Sequence, residues 1–189
     1  MTEKDKSEKP PFEGDQRQTS GHIIPGRLWA PWRMKYIQAA AAGEEPDCFL
    51  CEYQQMEDNE NNLILHRGKT CFVIMNLYPY NNGHLMVAPC RHIDKYSELT
   101  TEEIAEAGEL TKLSLRALHE TMHPHGYNVG WNLGRVAGAG VEEHIHQHIV
   151  PRWDGDTNFM PVIGNTKVIS ESLHEGYRRL RSSFARKKK

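Results

Sequence analysis

No stretch of this 189-residue chain reaches the roughly 18 consecutive apolar residues that a membrane-spanning helix needs. The segment from Met1 to Gln18 is largely charged and polar, and it lacks the apolar core of a secretory signal peptide. A strong net charge is also absent. The formal value of -2 predicts no general attraction to nucleic acid or to an acidic membrane. These absences predict a cytoplasmic protein without a membrane partner.

Cysteine is scarce, with four residues in the chain, and in a cytoplasmic protein such cysteines are thiols or metal ligands more often than disulfides. Cys48 and Cys51 form a C-x2-C pair. A redox motif would require the strand-to-helix junction of a thioredoxin-like fold, and nothing in the sequence supplies that context. The other interpretation is one half of a tetrahedral zinc site, which requires two further nitrogen or sulfur ligands.

Composition divides the chain into three parts. Residues 1–22 contain too few hydrophobic residues to order themselves, so we predict a disordered N-terminal tail. Residues 23–170 are predicted to form the domain, and 171–189 a C-terminal helix with a basic tail. The basic run consists of Arg178, Arg179, Arg181 and residues 186–189. It predicts a solvated helix end rather than a nucleic-acid arm. An aromatic cluster at 29–37 is equally consistent with core or dimer packing and with a stacking surface for a base.

The hydrophobic pattern predicts an α+β fold. Two apolar runs, 70–76 and 83–89, flank a turn-rich segment and predict an antiparallel strand pair. Thr100 to Glu103 is a capping-box signature, and apolar residues then recur at helical spacing up to Pro124. A strand over 127–133, a glycine-rich loop, a histidine-containing strand ended by Pro151 and a helix over 170–185 complete the prediction.

Three histidines alternate along one short segment: His144, His146 and His148. If the segment is a strand, side chains two residues apart lie on the same face, so the three imidazoles align. Imidazole serves as a metal ligand, a proton carrier or a nucleophile near neutral pH. From the spacing alone, a three-histidine metal site and a central nucleophile supported by its neighbours are equally plausible interpretations.

Three glycines, at positions 134, 138 and 140, immediately precede these histidines. Glycine permits close approach of the backbone to an anion, and successive N–H groups form a concave site for phosphate oxygens. A glycine loop that leads into a row of histidines therefore favours a phosphorus centre held next to a nucleophile.

The sequence around the histidines resembles the signature of the histidine triad family, in which His-x-His-x-His precedes two apolar residues. Further motifs resemble the branch of that family that contains diadenosine tetraphosphate phosphorylases. The motifs that carry this resemblance are Leu28–Arg33, Asn76–His84, Pro89–His92, the histidine segment and Pro151–Met160. Together they extend over roughly residues 26 to 170. The resemblance implies an α+β domain that assembles as a dimer or larger homo-oligomer.

The resemblance also implies roles for individual residues. His146 is expected to attack the α-phosphorus of a nucleotide, with Nδ1–H held by a backbone carbonyl, and His148 to bind phosphoryl oxygens. Asn76 is expected to bind ribose and Asn132 to bind phosphate, while His84 contacts the nucleotide or supports the pocket. The remaining expected substrate contacts are Trp29, Trp153, Gly138, Gly140 and Gln147.

Two positions depart from the family pattern. Gly140 and Val141 stand where many members have Gln and then Ser or Thr, so backbone N–H groups are expected to replace those side-chain donors. Gln147 stands at a position that is usually apolar, and we expect its amide to face the phosphate because a polar residue in this strand requires a partner.

By the same resemblance, zinc is the expected cofactor, structural in role, with Cys48, Cys51, His92 and His144 as its ligands. Cys90 lies close to His92 and is a rival ligand. If His144 binds zinc, His146 remains available for covalent chemistry.

The implied activity is nucleotidyl transfer, in which inorganic phosphate splits diadenosine tetraphosphate into ADP and ATP through a nucleotidyl-histidine intermediate. One alternative is a hydrolase or phosphoramidase of the same family. An alternative from another class is a zinc-containing nucleic-acid-binding module, which is disfavoured because no separate DNA-binding domain is evident.

Overall fold

The computed structural model describes residues 48–163 and 168–185. The predictions for the N-terminal tail, the aromatic cluster at 29–37 and the last four basic residues lie outside this range. None of the helices within the two ranges is both long enough and apolar enough to cross a bilayer.

Nine helices and strands make up the described ranges. In chain order they are α1 (Phe49–Gln55), β1 (Ile64–Arg67), β2 (Cys71–Met75), β3 (Leu85–Pro89), α2 (Thr101–Met122), β4 (Gly126–Trp131), β5 (Gln147–Arg152), α3 (Met160–Ile163) and α4 (Leu173–Ala185). Short 3₁₀ turns lie at Tyr96–Glu98 and Arg135–Ala137. The predicted α+β class is confirmed.

The five strands form one antiparallel sheet in the order β1-β2-β3-β5-β4. Every residue of β2 and β3, two of the three inner strands, is buried, so both faces of the sheet are covered along these strands. Helix α2 packs against β2, β3 and β5, and α4 packs against α2 and β1. Helices α2 and α4 therefore cover one face of the sheet.

Helix α2 begins where the capping box predicts. The Thr100 side chain accepts a hydrogen bond from the Glu103 N–H, and the Glu103 carboxylate accepts one from the Thr100 N–H. The helix ends at Met122, because His123 adopts a left-handed conformation with φ 48° and Pro124 follows. Buried residues such as Ala107 and Leu110 then face the sheet.

Two of the described arginines of the basic run attach α4 to the domain, and a third pairs within the C-terminal segment. Arg178, Arg179 and Arg181 form ion pairs with Glu60, Glu171 and Asp58, respectively. The described part of the basic run thus serves packing, which agrees with the prediction that it is a helix end.

Strand β5 differs from the prediction at both ends. It begins at Gln147, so His144 and His146 precede the ladder rather than lie within it. It also extends past Pro151 to Arg152. A proline is tolerated there because pairing with β3 stops at Ile149, beyond which β5 has only β4 as a neighbour.

The carboxylate of Glu106 holds the hairpin between β1 and β2 against helix α2. It accepts hydrogen bonds from the N–H groups of Lys69, Thr70 and Cys71 and from the Thr70 hydroxyl. Burial raises the pKa of Glu106, but these hydrogen bonds outweigh burial and lower the pKa to about 2. The charged form of Glu106 therefore stabilises the fold.

We expect Glu106→Gln to lower the free energy of unfolding by about 2–4 kcal/mol at neutral pH, because the uncharged amide leaves donors of the hairpin poorly satisfied. The folded-state pKa is below the unfolded value, so this stabilisation is present above pH ~4.5 and is lost as the pH falls toward 2. Urea unfolding at pH 7 and at pH 3 measures both effects.

Glu109→Gln is the matched control, because Glu109 lies on the same helix and pairs with Lys112 on the exposed surface. Equal destabilisation by the two substitutions would contradict the assignment, and so would a Glu106→Gln deficit of the same size at pH 3.

Candidate active site

Two buried histidines, His84 just before β3 and His148 in the neighbouring strand β5, form a hydrogen-bonded pair. The Tyr80 N–H lies 3.0 Å from His84 Nδ1 and the Asn76 amide lies 3.2 Å from it. A backbone N–H can only donate, so His84 Nδ1 must accept and its proton lies on Nε2. His84 Nε2 is 3.0 Å from His148 Nδ1. His84 therefore donates to His148, whose own proton is left on Nε2.

His146 has the opposite tautomer. Its Nδ1 lies 2.9 Å from the backbone oxygen of His144, to which Nδ1–H donates. The Nε2 lone pair of His146 is consequently free, as the sequence analysis expects of this residue. The rings of His146 and His148 lie at an interplanar angle of 73° with centroids 4.8 Å apart. A free lone pair and an N–H donor thus lie side by side.

Burial keeps these imidazoles uncharged. Burial and, to a smaller extent, the neighbouring imidazoles together lower the pKa of His84 to about 3 and that of His148 to about 4. Burial also lowers the pKa of His146, opposed by the hydrogen bond to His144 and by the charge of Glu143. At neutral pH all three rings are therefore neutral, so the tautomers above are the relevant forms.

Asn132 and His148 converge on the same space. The Asn132 amide nitrogen lies 3.3 Å from His148 Nε2 and 3.4 Å from the Gly138 carbonyl, to which it donates. Since Nε2 of His148 also carries a proton, two donors face each other with no acceptor between them. An oxyanion placed beside them satisfies both donors, and that is the chemistry of a phosphoryl group.

Asn76 lies beside His84, but its amide is occupied locally. It is 9% exposed, its nitrogen donates to His84, and its oxygen accepts from the Tyr78 N–H. Through these two hydrogen bonds the Asn76 side chain stabilises the conformation of the segment that joins β2 to β3.

The glycine loop presents fewer free N–H groups than expected. The Gly138 N–H donates to the Arg135 carbonyl within a 3₁₀ turn, so it is not available to a phosphate. Gly138 is nevertheless required as glycine, because its φ is +91°. Within the described residues the N–H of Gly140 has no hydrogen-bond partner, and Gly140 is exposed. Of the two N–H groups, that of Gly140 is the one left free to donate.

One expected substrate contact, Gln147, lies elsewhere. Gln147 accepts a 2.5 Å hydrogen bond from the Thr111 hydroxyl on α2, so its side chain lies on the helix-covered face, opposite His146 and His148. Successive residues of a strand alternate between faces, so Gln147 cannot share the face of its histidine neighbours. Trp153 donates from Nε1 to the Met122 carbonyl, at the end of α2. Trp29 lies outside the described residues.

The four expected zinc ligands come together. One donor atom from each of Cys48, Cys51, His92 and His144 lies within 4.8 Å of all the others. His144 Nδ1 is 3.2 Å from Cys48 Sγ and 3.4 Å from Cys51 Sγ, and His92 Nδ1 is 3.3 Å from Cys51 Sγ. In a tetrahedral zinc site the corresponding S···N distance is about 3.5 Å.

The tautomer of His144 suits a metal ligand. Its Nε2 lies 2.9 Å from the Pro89 carbonyl, so Nε2–H donates and the Nδ1 lone pair points to the cysteines. Two sulfurs and two nitrogens are a donor set that zinc prefers. The residues therefore fit the cofactor expected from the sequence, and the rival ligand Cys90 is not among them.

Sequence reasoning missed Tyr80, Asn81 and Asp156. The Tyr80 ring lies over His84 and His148, with centroids 4.6 and 5.5 Å away. The Asn81 side chain is buried and donates to the Pro151 carbonyl and to Asp156. The signal was present, because these residues belong to the motifs at 76–84 and 151–160, but only the structure shows that they contact each other.

Comparison with known proteins agrees with these features. The family model of the HIT domain matches residues 57–155. A Mycobacterium tuberculosis protein named AP-4-A phosphorylase is 42% identical over 166 residues, covering 85% of each chain. An adenosine 5'-monophosphoramidase of Schizosaccharomyces pombe is 36% identical over 78 residues, which cover 41% of this chain and 55% of the relative.

Solved structures show the same fold. A histidine triad nucleotide-binding protein of Sulfolobus tokodaii aligns with a TM-score of 0.58 at 25% identity, covering 72% of this chain and 91% of that one. A zinc-bound histidine triad family protein of Mycobacterium smegmatis aligns with a TM-score of 0.59 at 24% identity, covering 74% and 94% of the two chains. The resemblance inferred from the sequence motifs is thus confirmed, and the chain belongs to the histidine triad (HIT) family.

Proposed function

We propose that this protein is a nucleotidyltransferase that splits diadenosine tetraphosphate with inorganic phosphate, yielding ADP and ATP. The observation that carries the proposal is the free Nε2 lone pair of His146 beside the converging donors of His148 and Asn132. The similarity to a relative named AP-4-A phosphorylase over most of the chain supports the choice of substrate.

In the first step, His146 Nε2 attacks the α-phosphorus of one adenosine end. The N–P bond forms as the bond from phosphorus to the bridging oxygen breaks, and ATP leaves with the electrons of that bond. Charge on the phosphoryl oxygens is stabilised by His148 Nε2–H, by the Asn132 amide and by the Gly140 N–H. The His146 Nδ1–H bond to the His144 carbonyl stabilises the positive charge that develops on the ring.

In the second step, an oxygen of inorganic phosphate attacks the same phosphorus. The N–P bond breaks, its electrons return to His146 Nε2, and ADP forms. The same donors serve both steps, because the charge on the transferred group is the same in each.

The test is to incubate the purified protein with diadenosine tetraphosphate, with and without inorganic phosphate, and to separate the products by chromatography. We expect ADP and ATP in equal amounts, and only when phosphate is present. AMP and ATP formed equally well without phosphate would contradict phosphorolysis and would identify water as the acceptor.

Hydrolysis or phosphoramidase activity is the second candidate, favoured by the similarity to the fission-yeast phosphoramidase over part of the chain. It uses the same nucleophile and differs in the acceptor or in the leaving group. A nucleic-acid-binding module is disfavoured, since the described arginines of the basic run are engaged in ion pairs with acidic side chains.

We propose zinc as a structural cofactor held by the four-residue cluster described above. When bound, zinc crosslinks α1 to the segment that precedes β5. Cys48 and Cys51 are not joined in a disulfide, which supports a reducing, cytoplasmic location.

We further propose that the protein forms a homodimer or a larger homo-oligomer. Strand β4 lies at the end of the sheet order and pairs only with β5 among the described strands. Val129, in the middle of this edge strand, is 44% exposed. An unpaired edge with exposed apolar side chains favours association with a second copy.

A further inference from the structure

The ring of Tyr80 covers the one histidine pair in the described site that is hydrogen-bonded side chain to side chain. It is tilted over His84 at 43° and stacked on His148 at 28°. Tyr80 is 52% exposed, whereas His84 and His148 are 0% and 8% exposed. One face of the ring therefore contacts the pair while much of the residue contacts solvent.

The backbone of Tyr80 is fixed independently of its ring. The next residue, Asn81, is 7% exposed and donates hydrogen bonds to the Pro151 carbonyl and to Asp156. These contacts hold the chain where the Tyr80 N–H can donate to His84 Nδ1. A substitution that removes the ring therefore leaves the N–H donor in place, so the two contributions of Tyr80 can be separated.

We propose that the ring of Tyr80 excludes water from the His84–His148 hydrogen bond and so maintains the proton on Nε2 of His148. Tyr80 is then a positioning residue for nucleotidyl transfer, acting through His148. The kinetic consequences rest on the function proposed above, whereas the tautomer can be observed in the protein without substrate.

Water is the competitor that the ring must exclude. A water molecule that reaches His84 Nε2–H or His148 Nδ1 replaces the bond between them, after which His148 can carry its proton on either nitrogen. With the proton on Nδ1, His148 presents a lone pair to the phosphoryl oxygens in place of a donor. Repulsion then replaces stabilisation at the reacting group.

The groups that face the pair do not replace the ring. His84 is faced by His148 and His146, both of which lower its pKa, and by the neutral amide of Asn76. His148 is faced by His146 and by the amide of Asn132. None of these side chains is a carboxylate that would favour a charged imidazole, and the neighbouring imidazoles oppose one, so the change expected on removal of the ring comes from water reaching the pair.

Histidine ¹⁵N NMR of the free protein tests the proposal on three variants. Tyr80→Phe keeps the ring and is expected to retain the wild-type tautomers of His84 and His148. Tyr80→Leu keeps an apolar cover and is expected to retain most of the Nε2–H form. Tyr80→Ala is expected to give a mixture of His148 tautomers and to raise the midpoint of protonation of the pair by at least one pH unit, because water reaches it.

Kinetics with diadenosine tetraphosphate and phosphate provide the second measurement. Tyr80→Ala is expected to lower kcat about tenfold with KM nearly unchanged, and to move the acidic limb of the pH profile to higher pH. Tyr80→Phe is expected to match the wild type. A thermal melt of each variant confirms that it is folded.

Three outcomes overturn the proposal. The first is an unchanged His148 tautomer in folded Tyr80→Ala. The second is an equal loss in Tyr80→Phe, which assigns the role to the hydroxyl. The third is a rise in KM with unchanged kcat, which makes the ring a substrate contact. If wild-type protein shows no turnover, the proposed function fails, and the NMR result still decides the role of the ring.

Discussion

Replacing His146 by alanine is expected to lower kcat for nucleotidyl transfer by about 10⁴-fold or more. The loss is large because neither of the other two histidines of the row, His144 and His148, can act as the nucleophile in place of His146. In His148, Nδ1 accepts a hydrogen bond from His84 and Nε2 carries a proton. In His144, Nε2–H donates to the Pro89 carbonyl and Nδ1 lies among the cysteines. His146 is therefore the imidazole of the row with a lone pair directed to the proposed phosphate site.

The measurement is product formation under phosphate, with His174→Ala as the matched control, because His174 is exposed on α4. Brief incubation with substrate labelled in the α-phosphate is expected to leave acid-labile label on wild-type protein and none on His146→Ala. Residual activity above a tenth of wild type, or label on the variant, would contradict the role of His146.

Local sequence signals predicted much of the fold. The start of α2 follows from the Thr100 and Glu103 capping box, because its two hydrogen bonds join residues only three apart. Strands β2 and β3 follow from apolar runs that flank a turn. Strand β1 and helix α1 were not predicted, because they have only four and seven residues and are too short to show a clear hydrophobic period.

The histidine and cysteine pattern predicted the composition of the site, but not every orientation. Gln147 was expected to face phosphate, yet a strand alternates faces and Thr111 on α2 supplies the partner that its amide requires. The Trp153 ring donates to the carbonyl of Met122, a long-range contact that the motif does not predict. Register and long-range contacts decide such orientations, and neither can be read from a motif.

The role of Tyr80 was beyond sequence reasoning for a similar reason. Its N–H fixes the tautomer of His84 only because the segment after β2 folds back on β5, held by Asn81 and Asp156. The motif shows that these residues are present in the sequence. It does not show that the Tyr80 N–H determines the proton positions on His84 and His148.

Removal of one zinc ligand is expected to have the second large effect. Cys51→Ser is expected to abolish stoichiometric zinc binding and to lower Tm by roughly 10 °C or more, because a structural zinc site contributes several kcal/mol to folding. Zinc content by mass spectrometry and a thermal melt measure the two results. Cys90→Ser is the matched control, since Cys90 is a nearby cysteine outside the four-residue cluster.

Zinc loss is also expected to reduce nucleotidyl transfer in the fraction that remains folded. His144 contributes its ring to the cluster and its carbonyl to His146 Nδ1–H, so one residue joins both sites. When the ring is released, the carbonyl is no longer held in place and the Nε2 lone pair of His146 loses its orientation. Full activity in zinc-free, folded protein would contradict this coupling, and equal zinc loss in Cys90→Ser would contradict the ligand set.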